Sequence, residues 1–279
     1  MSDSLRRYLE QQIELGGSEV ILSSSLKLPV KLAEPIKSVV SRQTKAAVTE
    51  AVVTETVAEV LTSEPSPGRW RKDLPPIPGP GLSIAPAIFD LADPIGQLET
   101  LDDIIAAIDA CTRCPLHLTR SKSVPGEGDP RAGLFLVGEG PGETEDRLGR
   151  PFVGRAGDLL DKLLVALDLP RSSVYIANIV KNRPPANRKP LPDEVAACIP
   201  FLYRQIGIVQ PKVILALGGT AAESMLGVKK SLGELRNKVH RFAGIPLIVT
   251  YHPAALLRNP NWKKPTWDDV RIARQLLDL

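Results

Sequence analysis

Short apolar runs alternate with amphipathic helical segments over the last two thirds of the chain, and this pattern constrains the fold most. Four runs have the length of strands that are buried on both faces: residues 134–137, 174–180, 213–217 and 246–251. Helical spacing predicts helices at residues 101–110, 156–167, 192–209, 220–226 and 267–279. Strands that alternate with helices predict an α/β domain over residues 101–279, with a mostly parallel sheet and helices on both faces.

The N-terminal third has a different character. Residues 1–15 contain apolar side chains at roughly helical spacing and predict one short amphipathic helix. Eight prolines between Pro65 and Pro94 remove backbone donors and favour extended conformations over a packed core. We therefore expect residues 16–95 to form a largely disordered, proline-rich linker.

Composition excludes several classes of protein. No stretch approaches the ~20 apolar residues that a membrane-spanning helix needs, and the N-terminus lacks the apolar core of a secretory signal. We therefore expect a cytoplasmic protein with no membrane partner. Three cysteines in 279 residues suit metal or redox chemistry better than a disulfide framework. The net charge is +3, and residues 1–100 carry 10 Lys and Arg against 13 Asp and Glu, so the basic part is C-terminal and compatible with a polyanionic ligand.

The first predicted strand of the domain runs into residues 138–142, which have the sequence GEGPG. Glycines at alternate positions allow a ligand to approach the backbone closely. A dinucleotide-binding fingerprint would need a third glycine where the chain has Glu143, and the neighbouring carboxylates would repel a pyrophosphate. We therefore expect no nucleotide cofactor, whereas a purely structural Gly-Pro turn stays open.

Two polar residues stand at the ends of later strands. Asn178 lies inside an apolar run, where an unpaired buried amide would cost ~1–3 kcal/mol. Its amide offers one acceptor and two donors in a plane, which matches the O4 and N3–H edge of a pyrimidine base. A structural hydrogen bond to a neighbouring loop is the alternative. His252, one of three histidines, precedes Pro253 at the edge of the sheet where ligands bind in such folds.

Four separated motifs resemble the family 4 uracil-DNA glycosylases. In chain order they are GEGPG at 138–142, GRPFVG at 149–154, NIVK at 178–181 with RPP at 183–185, and HP at 252–253 with LLRNP at 256–260. The resemblance covers roughly residues 105–278 and implies a three-layer α/β/α fold. It also implies a DNA repair enzyme that hydrolyses the N-glycosidic bond of uracil and leaves an abasic site. We expect a monomer whose partner is uracil-containing DNA.

The resemblance implies a role for each motif around the uracil. The loop at Gly140 lines the pocket and positions water, Phe152 stacks on the flipped base, and Asn178 reads its Watson–Crick edge. His252 donates to O2, where a hydrogen bond stabilises the departing anion more than the ground state. Glu139 is expected to form the pocket and is the second catalytic candidate.

Other expected roles are less specific. Glu143 is the candidate for the side chain that excludes the C5-methyl of thymine. Leu256, Leu257 and Arg258 stand where the family has its minor-groove loop, so an inserted apolar side chain and a phosphate contact are expected there. The best-known uracil glycosylases have an aspartate where this chain has Gly140, and the water-activating base is therefore left unassigned.

The family carries an iron-sulfur cluster on four cysteines, and this chain departs from that pattern. Cys111, Cys114 and Cys198 stand at three of the expected places, and Asn182 stands at the fourth. Asparagine is a poor ligand for cluster iron, which prefers thiolate. Three possibilities remain open: a [4Fe-4S] cluster on three thiolates with a substitute ligand, a degenerate site without metal, or a three-cysteine zinc site.

An alternative hypothesis keeps the fold and abandons the activity. In that case Asn182 and Gly140 would mark a catalytically decayed protein that only binds damaged DNA. The intact set of Phe152, Asn178 and His252 argues for an active enzyme.

Overall fold

The computed structural model of the chain describes residues 68–85 and 93–279. Seven strands occur in these residues: β1 (Pro80–Ile84), β2 (Glu127–Gly128), β3 (Leu134–Gly138), β4 (Tyr175–Asn178), β5 (Val213–Leu217), β6 (Val239–Phe242) and β7 (Ile245–Thr250). They form one sheet with the order β1-β6-β7-β5-β3-β4-β2. The four central strands β7, β5, β3 and β4 are parallel, whereas β2 and β6 run antiparallel to β4 and β7.

Eight α-helices lie in the same described residues: α1 (Leu101–Asp109), α2 (Glu143–Leu148), α3 (Arg155–Ala166), α4 (Pro192–Val209), α5 (Gly219–Leu226), α6 (Leu232–Leu235), α7 (Pro253–Arg258) and α8 (Lys263–Leu277). Local signals set some of their starts. Thr100 and Asp103 form a reciprocal capping box at the start of α1. At α4, Pro192 occupies the first turn, and the Glu194 carboxylate accepts a hydrogen bond from the Leu191 amide at 2.7 Å.

The sheet separates two hydrophobic cores. Phe135 and Val137 of β3 point into the core that contains α1, α4 and α5. Leu134 and Leu136 point to the opposite face and pack with α3 and α8. Because successive side chains of a strand alternate between faces, one apolar run supplies both cores. The predicted three-layer α/β/α fold with a mostly parallel sheet is confirmed.

The four strands predicted in the catalytic domain are β3, β4, β5 and β7, and the bounds of β5 and α4 agree with the prediction. The run at 174–180 is longer than β4, because the strand ends at Asn178 and the chain turns there. Helix α8 begins at Lys263, four residues before its predicted start. The apolar pattern did not predict β1, β2, β6, α2, α6 and α7, which are short.

Part of the segment predicted to be a linker is folded onto the domain. Trp70 lies in a 3-10 helix, is 2% exposed, and packs into the core of α3 and α8. Residues 80–84 form β1 at the edge of the sheet, beside β6. There the Leu82 amide donates to Nδ1 of His240 at 3.0 Å. Prolines are tolerated in an edge strand, so a proline-rich composition did not exclude it. The helix predicted in residues 1–15 and the linker as far as residue 67 lie outside the described residues.

In the part of the chain that the structure describes, no helix has the length and apolar character to cross a membrane.

Candidate active site

The carboxyl ends of the four parallel strands meet at one edge of the sheet. The register pairs Gly138 of β3 with Asn178 of β4, and Leu217 of β5 with Thr250 of β7. His252 follows β7 and is the N-cap of α7. Residues that are far apart in the chain are therefore brought to one rim, where ligands bind in open α/β sheets.

Asn178 is buried at this rim and only 1% exposed. Its Oδ1 atom has no hydrogen-bond partner among the described residues. Gly138 leaves room for it, because a Cβ there would lie 2.3 Å from Asn178 Oδ1 and 2.6 Å from Cζ of Phe152. At the amide oxygen, the described residues therefore supply no structural hydrogen bond of the kind considered as the alternative for Asn178. The backbone oxygen of Asn178 does have a partner, since Nζ of buried Lys181 donates to it at 2.9 Å.

Phe152 is 5% exposed, and its ring centroid lies 5.4 Å from that of His252. Its φ is +49°, a left-handed conformation that is unfavourable for a bulky side chain. Nη1 and Nη2 of Arg171 donate to the carbonyls of Phe152 and Pro151 at 3.1 and 2.6 Å. At the start of α3, a Cβ on Gly157 would lie 1.9 Å from the Phe152 carbonyl, so the turn requires glycine. These contacts fix the turn that carries the Phe152 ring, which lies beside Gly138 together with the Asn178 side chain.

Arg171 is itself held by carboxylates. It contacts Glu127 at 2.7 Å and Asp161 at 2.8 Å, and Arg150 forms a second ion pair with Glu127. Burial alone would raise the pKa of Glu127, but the two guanidinium groups hold it below its usual value. The carboxylate therefore stays charged at neutral pH and keeps the turn around Phe152 in place.

His252 carries a neutral imidazole at this rim. Burial, assisted by the positive charge of Arg258, lowers the pKa of His252 to about 4. Nδ1 accepts a hydrogen bond from the Ala254 amide at 3.2 Å, so we assign the ring proton to Nε2. A neutral Nε2–H group is suited to stabilise an oxygen on which negative charge develops.

The loop after β3 packs closely at its second glycine. A Cβ on Gly140 would lie 2.8 Å from Cγ2 of Val180, so a carboxylate-bearing residue at that position would require Val180 to move. Glu139 points to a different neighbour, and its Oε2 accepts a hydrogen bond from the Thr220 hydroxyl. Glu139 is therefore the carboxylate that the loop itself contributes, whereas Gly140 contributes only backbone.

Two other glutamates follow the loop and differ in their surroundings. The Glu143 side chain is 79% exposed and approaches Arg183 at 3.7 Å. Glu145 instead accepts hydrogen bonds from the Val153 and Gly154 amides, both at 2.9 Å. Because those amides follow Phe152 directly, Glu145 links the glycine loop to the turn that holds the aromatic ring. From the sequence, Glu143 received a candidate role, and Glu145 was left as a nearby carboxylate without one.

The expected DNA-contacting residues divide between the inside and the outside of α7. Leu256 is 1% exposed, and α7 packs against α3. A side chain that is part of the core is not available for insertion into DNA, so that expectation is wrong for Leu256. Leu257 is 43% exposed, and Arg258 is exposed. These two residues keep the predicted role.

The three cysteines lie near the segment that follows β4. We call the region of Cys111, Cys114, Asn182 and Cys198 the cysteine corner. Cys111 and Cys114 are partly buried and pack against the core that contains buried Cys198. The Lys181 amide donates to Sγ of Cys198 at 3.2 Å. Burial raises the pKa of the Cys198 thiol to about 11, so this thiol is protonated at neutral pH without a metal.

Asn182 belongs to the cysteine corner, and its amide oxygen already accepts a hydrogen bond. It is 4% exposed, and its Oδ1 accepts a hydrogen bond from Nη1 of Arg120 at 3.1 Å. The same guanidinium nitrogen donates to the Ile108 carbonyl at the end of α1. Among the described residues, no group of three His, Cys, Asp or Glu side chains is arranged to hold a metal ion.

Comparison with known proteins identifies the family of the chain. The sequence model of the Uracil DNA glycosylase superfamily matches residues 125–273, which include the glycine loop, Asn178 and His252. A type-4 uracil-DNA glycosylase of Thermotoga maritima is 49% identical over 183 residues, which are 64% of this chain and 95% of the relative. A type-4 uracil-DNA glycosylase of Pyrobaculum aerophilum is 47% identical over 172 residues, 59% of this chain and 86% of the relative.

The chain belongs to the type-4 uracil-DNA glycosylases. The resemblance stated from the four motifs is thereby confirmed. More distant similarity extends to a type-5 uracil-DNA glycosylase of Thermus thermophilus, 35% identical over 152 residues, which are 47% of this chain and 69% of the relative.

In this type-4 glycosylase, the end of β5 also belongs to the rim, and the sequence reasoning missed it. Gly218 has a φ of +93°, and a Cβ there would lie 3.0 Å from Cβ of His252. Thr220 follows on the first turn of α5 and contacts Glu139. The available signal was the Gly218-Gly219-Thr220 sequence directly after an apolar run, the same strand-to-glycine pattern that identified the first loop.

Proposed function

We propose that the chain is a DNA repair hydrolase that breaks the N-glycosidic bond of uracil in DNA and leaves an abasic site. The observation that carries the proposal is the buried amide oxygen of Asn178, which lacks a hydrogen-bond partner among the described residues. Leaving such an atom unpaired costs ~1–3 kcal/mol, and the N3–H group of uracil would satisfy it. The printed names of the relatives support the same substrate.

Different residues of the pocket bind the base and stabilise the charge that develops on it. Phe152 offers the face on which a flipped uracil stacks, and Asn178 accepts from N3–H and donates to O4. Nε2–H of His252 donates to O2. As the glycosidic bond breaks, negative charge accumulates on the uracil oxygens, so the histidine bond strengthens on the way to the transition state.

Glu139 and the loop backbone hold the attacking water. Gly140 supplies no carboxylate, and its tight contact with Val180 keeps the loop backbone close to β4. Glu139 is then the carboxylate that accepts a hydrogen bond from water at this rim. An oxocarbenium-like sugar needs less activation of water than a neutral acceptor does, so a weak base suffices.

The DNA is held by exposed parts of α7. Leu257 is the apolar side chain that fills the space left by the flipped nucleotide, and Arg258 contacts phosphate. One copy of residues 101–279 contains every residue used in this proposal, which supports the expectation of a monomer.

We propose that thymine is excluded by the rim rather than by Glu143 alone. The exposed Glu143 side chain has Arg183 as its ionic partner. Glu145 lies against the glycine loop, since a Cβ on Gly142 would be 2.8 Å from its Oε2. We therefore keep Glu143 as the residue to test and Glu145 as its comparison.

The residues at the cysteine corner do not fit a cluster on four thiolates. The fourth place holds Asn182, whose amide oxygen is bound to Arg120. Cluster iron prefers thiolate, and an amide that is already hydrogen-bonded is a weaker ligand still. We assign these residues a structural role in the fold.

Incubation with an oligonucleotide that contains one uracil, followed by alkali, tests the proposed function. We expect strand breakage at uracil and none in a matched oligonucleotide with thymine. Binding to the uracil oligonucleotide without breakage would instead support the decayed, DNA-damage-binding alternative. Enzyme purified without iron should excise uracil as fast as enzyme purified in the presence of iron.

A further inference from the structure

Thr220 joins the middle strand of the sheet to the catalytic loop. Its hydroxyl donates a hydrogen bond to Oε2 of Glu139. Strand β5 lies between β3 and β7, so the first turn of α5 reaches the loop after β3 from the centre of the rim. Thr220 itself is 6% exposed, which makes the hydroxyl part of the interior rather than a surface group.

The two oxygens of the Glu139 carboxylate differ in their hydrogen-bond partners. Oε2 is occupied by Thr220, whereas no second donor to the Glu139 side chain is found in the described part of the chain. A hydrogen bond to a charged acceptor is directional and roughly twice as strong as a neutral one. It therefore fixes the rotation of the carboxylate and leaves Oε1 available to another donor.

We propose that Thr220 is a positioning residue for uracil excision, which holds Glu139 so that Oε1 accepts a hydrogen bond from the attacking water. In the step concerned, the water oxygen bonds to C1′ while the C1′–N1 bond breaks and its electron pair leaves with uracil. The proton that water loses balances the proton that the uracil anion takes up. This inference rests on the proposed function and names a residue outside the four motifs.

The alternative is that Thr220 only stabilises the start of α5. A structural hydroxyl would change the unfolding transition and would not act through Glu139. A positioning hydroxyl would change the rate of the chemical step and only in the presence of the carboxylate. Double-mutant cycles separate these cases, because coupling is measured directly.

The experiment measures single-turnover uracil excision by Thr220→Val and Thr220→Ser, each with Glu139 present and with Glu139→Ala. We expect Thr220→Val to slow excision about tenfold at unchanged half-saturating enzyme concentration, since small misplacements of a reacting group reduce rates by such factors. Thr220→Ser, which keeps the hydroxyl, should restore most of the rate. In the Glu139→Ala background, Thr220→Val should add no further loss.

An equal loss from Thr220→Val in both backgrounds would overturn the proposal, and so would an undiminished rate in Thr220→Val. Ser224→Ala on the same helix is the matched control for changes in α5. Thermal melting of every variant identifies unfolding, and the serine variant keeps the test valid if the valine variant is unstable. A wild-type protein that leaves uracil intact would instead contradict the proposed function.

Discussion

Two buried asparagines four residues apart, Asn178 and Asn182, show how the pocket and the cysteine corner differ. Both have less than 5% of their surface exposed. The amide oxygen of Asn178 has no partner among the described residues, whereas that of Asn182 accepts from Arg120 at 3.1 Å. A buried polar group without a partner is costly, so the first is prepared for a ligand and the second is part of the protein's own hydrogen-bond network. The same residue type thus serves recognition in one place and structure in the other.

The largest expected effect is the loss of activity on removing the unpaired amide. Asn178→Ala should slow single-turnover uracil excision by about 10²- to 10³-fold, because the anion and the base edge lose a donor and an acceptor. The free energy of unfolding, measured in urea, should change by less than ~1 kcal/mol, because the amide oxygen accepts no hydrogen bond that could be lost. An Asn178→Ala protein that excises uracil at the wild-type rate would contradict the assignment of the pocket.

The second prediction concerns the donor opposite Asn178. His252→Ala should reduce the single-turnover rate by about 10²-fold. The wild-type rate should stay level as the pH falls through 6.5, the usual pKa of the imidazole, because burial lowers the pKa of His252 to about 4 and the ring remains neutral.

The pH profile also separates this role from that of a charged histidine. An enzyme in which His252 acts as a cation would gain activity below pH 6.5, and one in which it needs deprotonation near its usual pKa would lose activity there. Either profile, present in the wild type and absent in His252→Ala, would contradict the neutral donor.

The third prediction is that a substitution at the cysteine corner changes stability rather than activity. Asn182→Ala should leave the excision rate within about twofold of wild type and should destabilise the fold by ~1–3 kcal/mol, because the partly buried Arg120 guanidinium loses one of its acceptors. Urea unfolding and single-turnover kinetics on the same preparations check both parts. A large loss of activity at full stability would mean that the two asparagines do not differ as described.

Asn182→Cys is the matched variant that restores a fourth thiolate. Protein expressed with added iron should then bind iron and sulfide and show the broad visible absorption of thiolate-bound clusters, whereas wild type treated identically should bind less. A wild-type protein that binds as much iron and sulfide as a loaded Asn182→Cys variant would show that three thiolates suffice to hold a cluster.

The smallest expected effect is at Glu143. Because its side chain is 79% exposed, Glu143→Gly should change uracil excision by less than about twofold and should still leave thymine intact. Assays on matched uracil and thymine oligonucleotides measure both. If Glu143→Gly releases thymine and Glu145→Gly does not, Glu143 is the residue that excludes thymine.

Periodicity was sufficient for the central part of the fold. Short, continuous apolar runs predicted β3, β5 and β7 because a parallel strand buried on both faces needs little besides apolar side chains. The edge strand β1 was missed since Pro80 and Gly81 resemble a linker when the partner strand is unknown. Trp70 was likewise an isolated aromatic in the sequence, and only the core beneath α3 and α8 explains its burial.

The candidate site divides in the same way. Sequence motifs identified Phe152, Asn178 and His252, because each carries distinctive chemistry at a strand end or beside glycine. They did not identify Thr220, whose hydroxyl matters only because β5 runs between β3 and β7. They also assigned Leu256 to DNA, since the side of α7 that faces α3 was not known.

The sequence by itself therefore determined the layered α/β fold and the family, and it supplied the residues that we propose to contact the base. These follow from local periodicity and from short motifs that the chain carries whether or not it is folded. Only the tertiary structure decided which of two buried asparagines is left unpaired, which carboxylate Thr220 holds, and which leucine of α7 is exposed. The reason is physical: hydrogen-bond satisfaction and burial depend on neighbours that are distant in the chain and adjacent only after the sheet has formed.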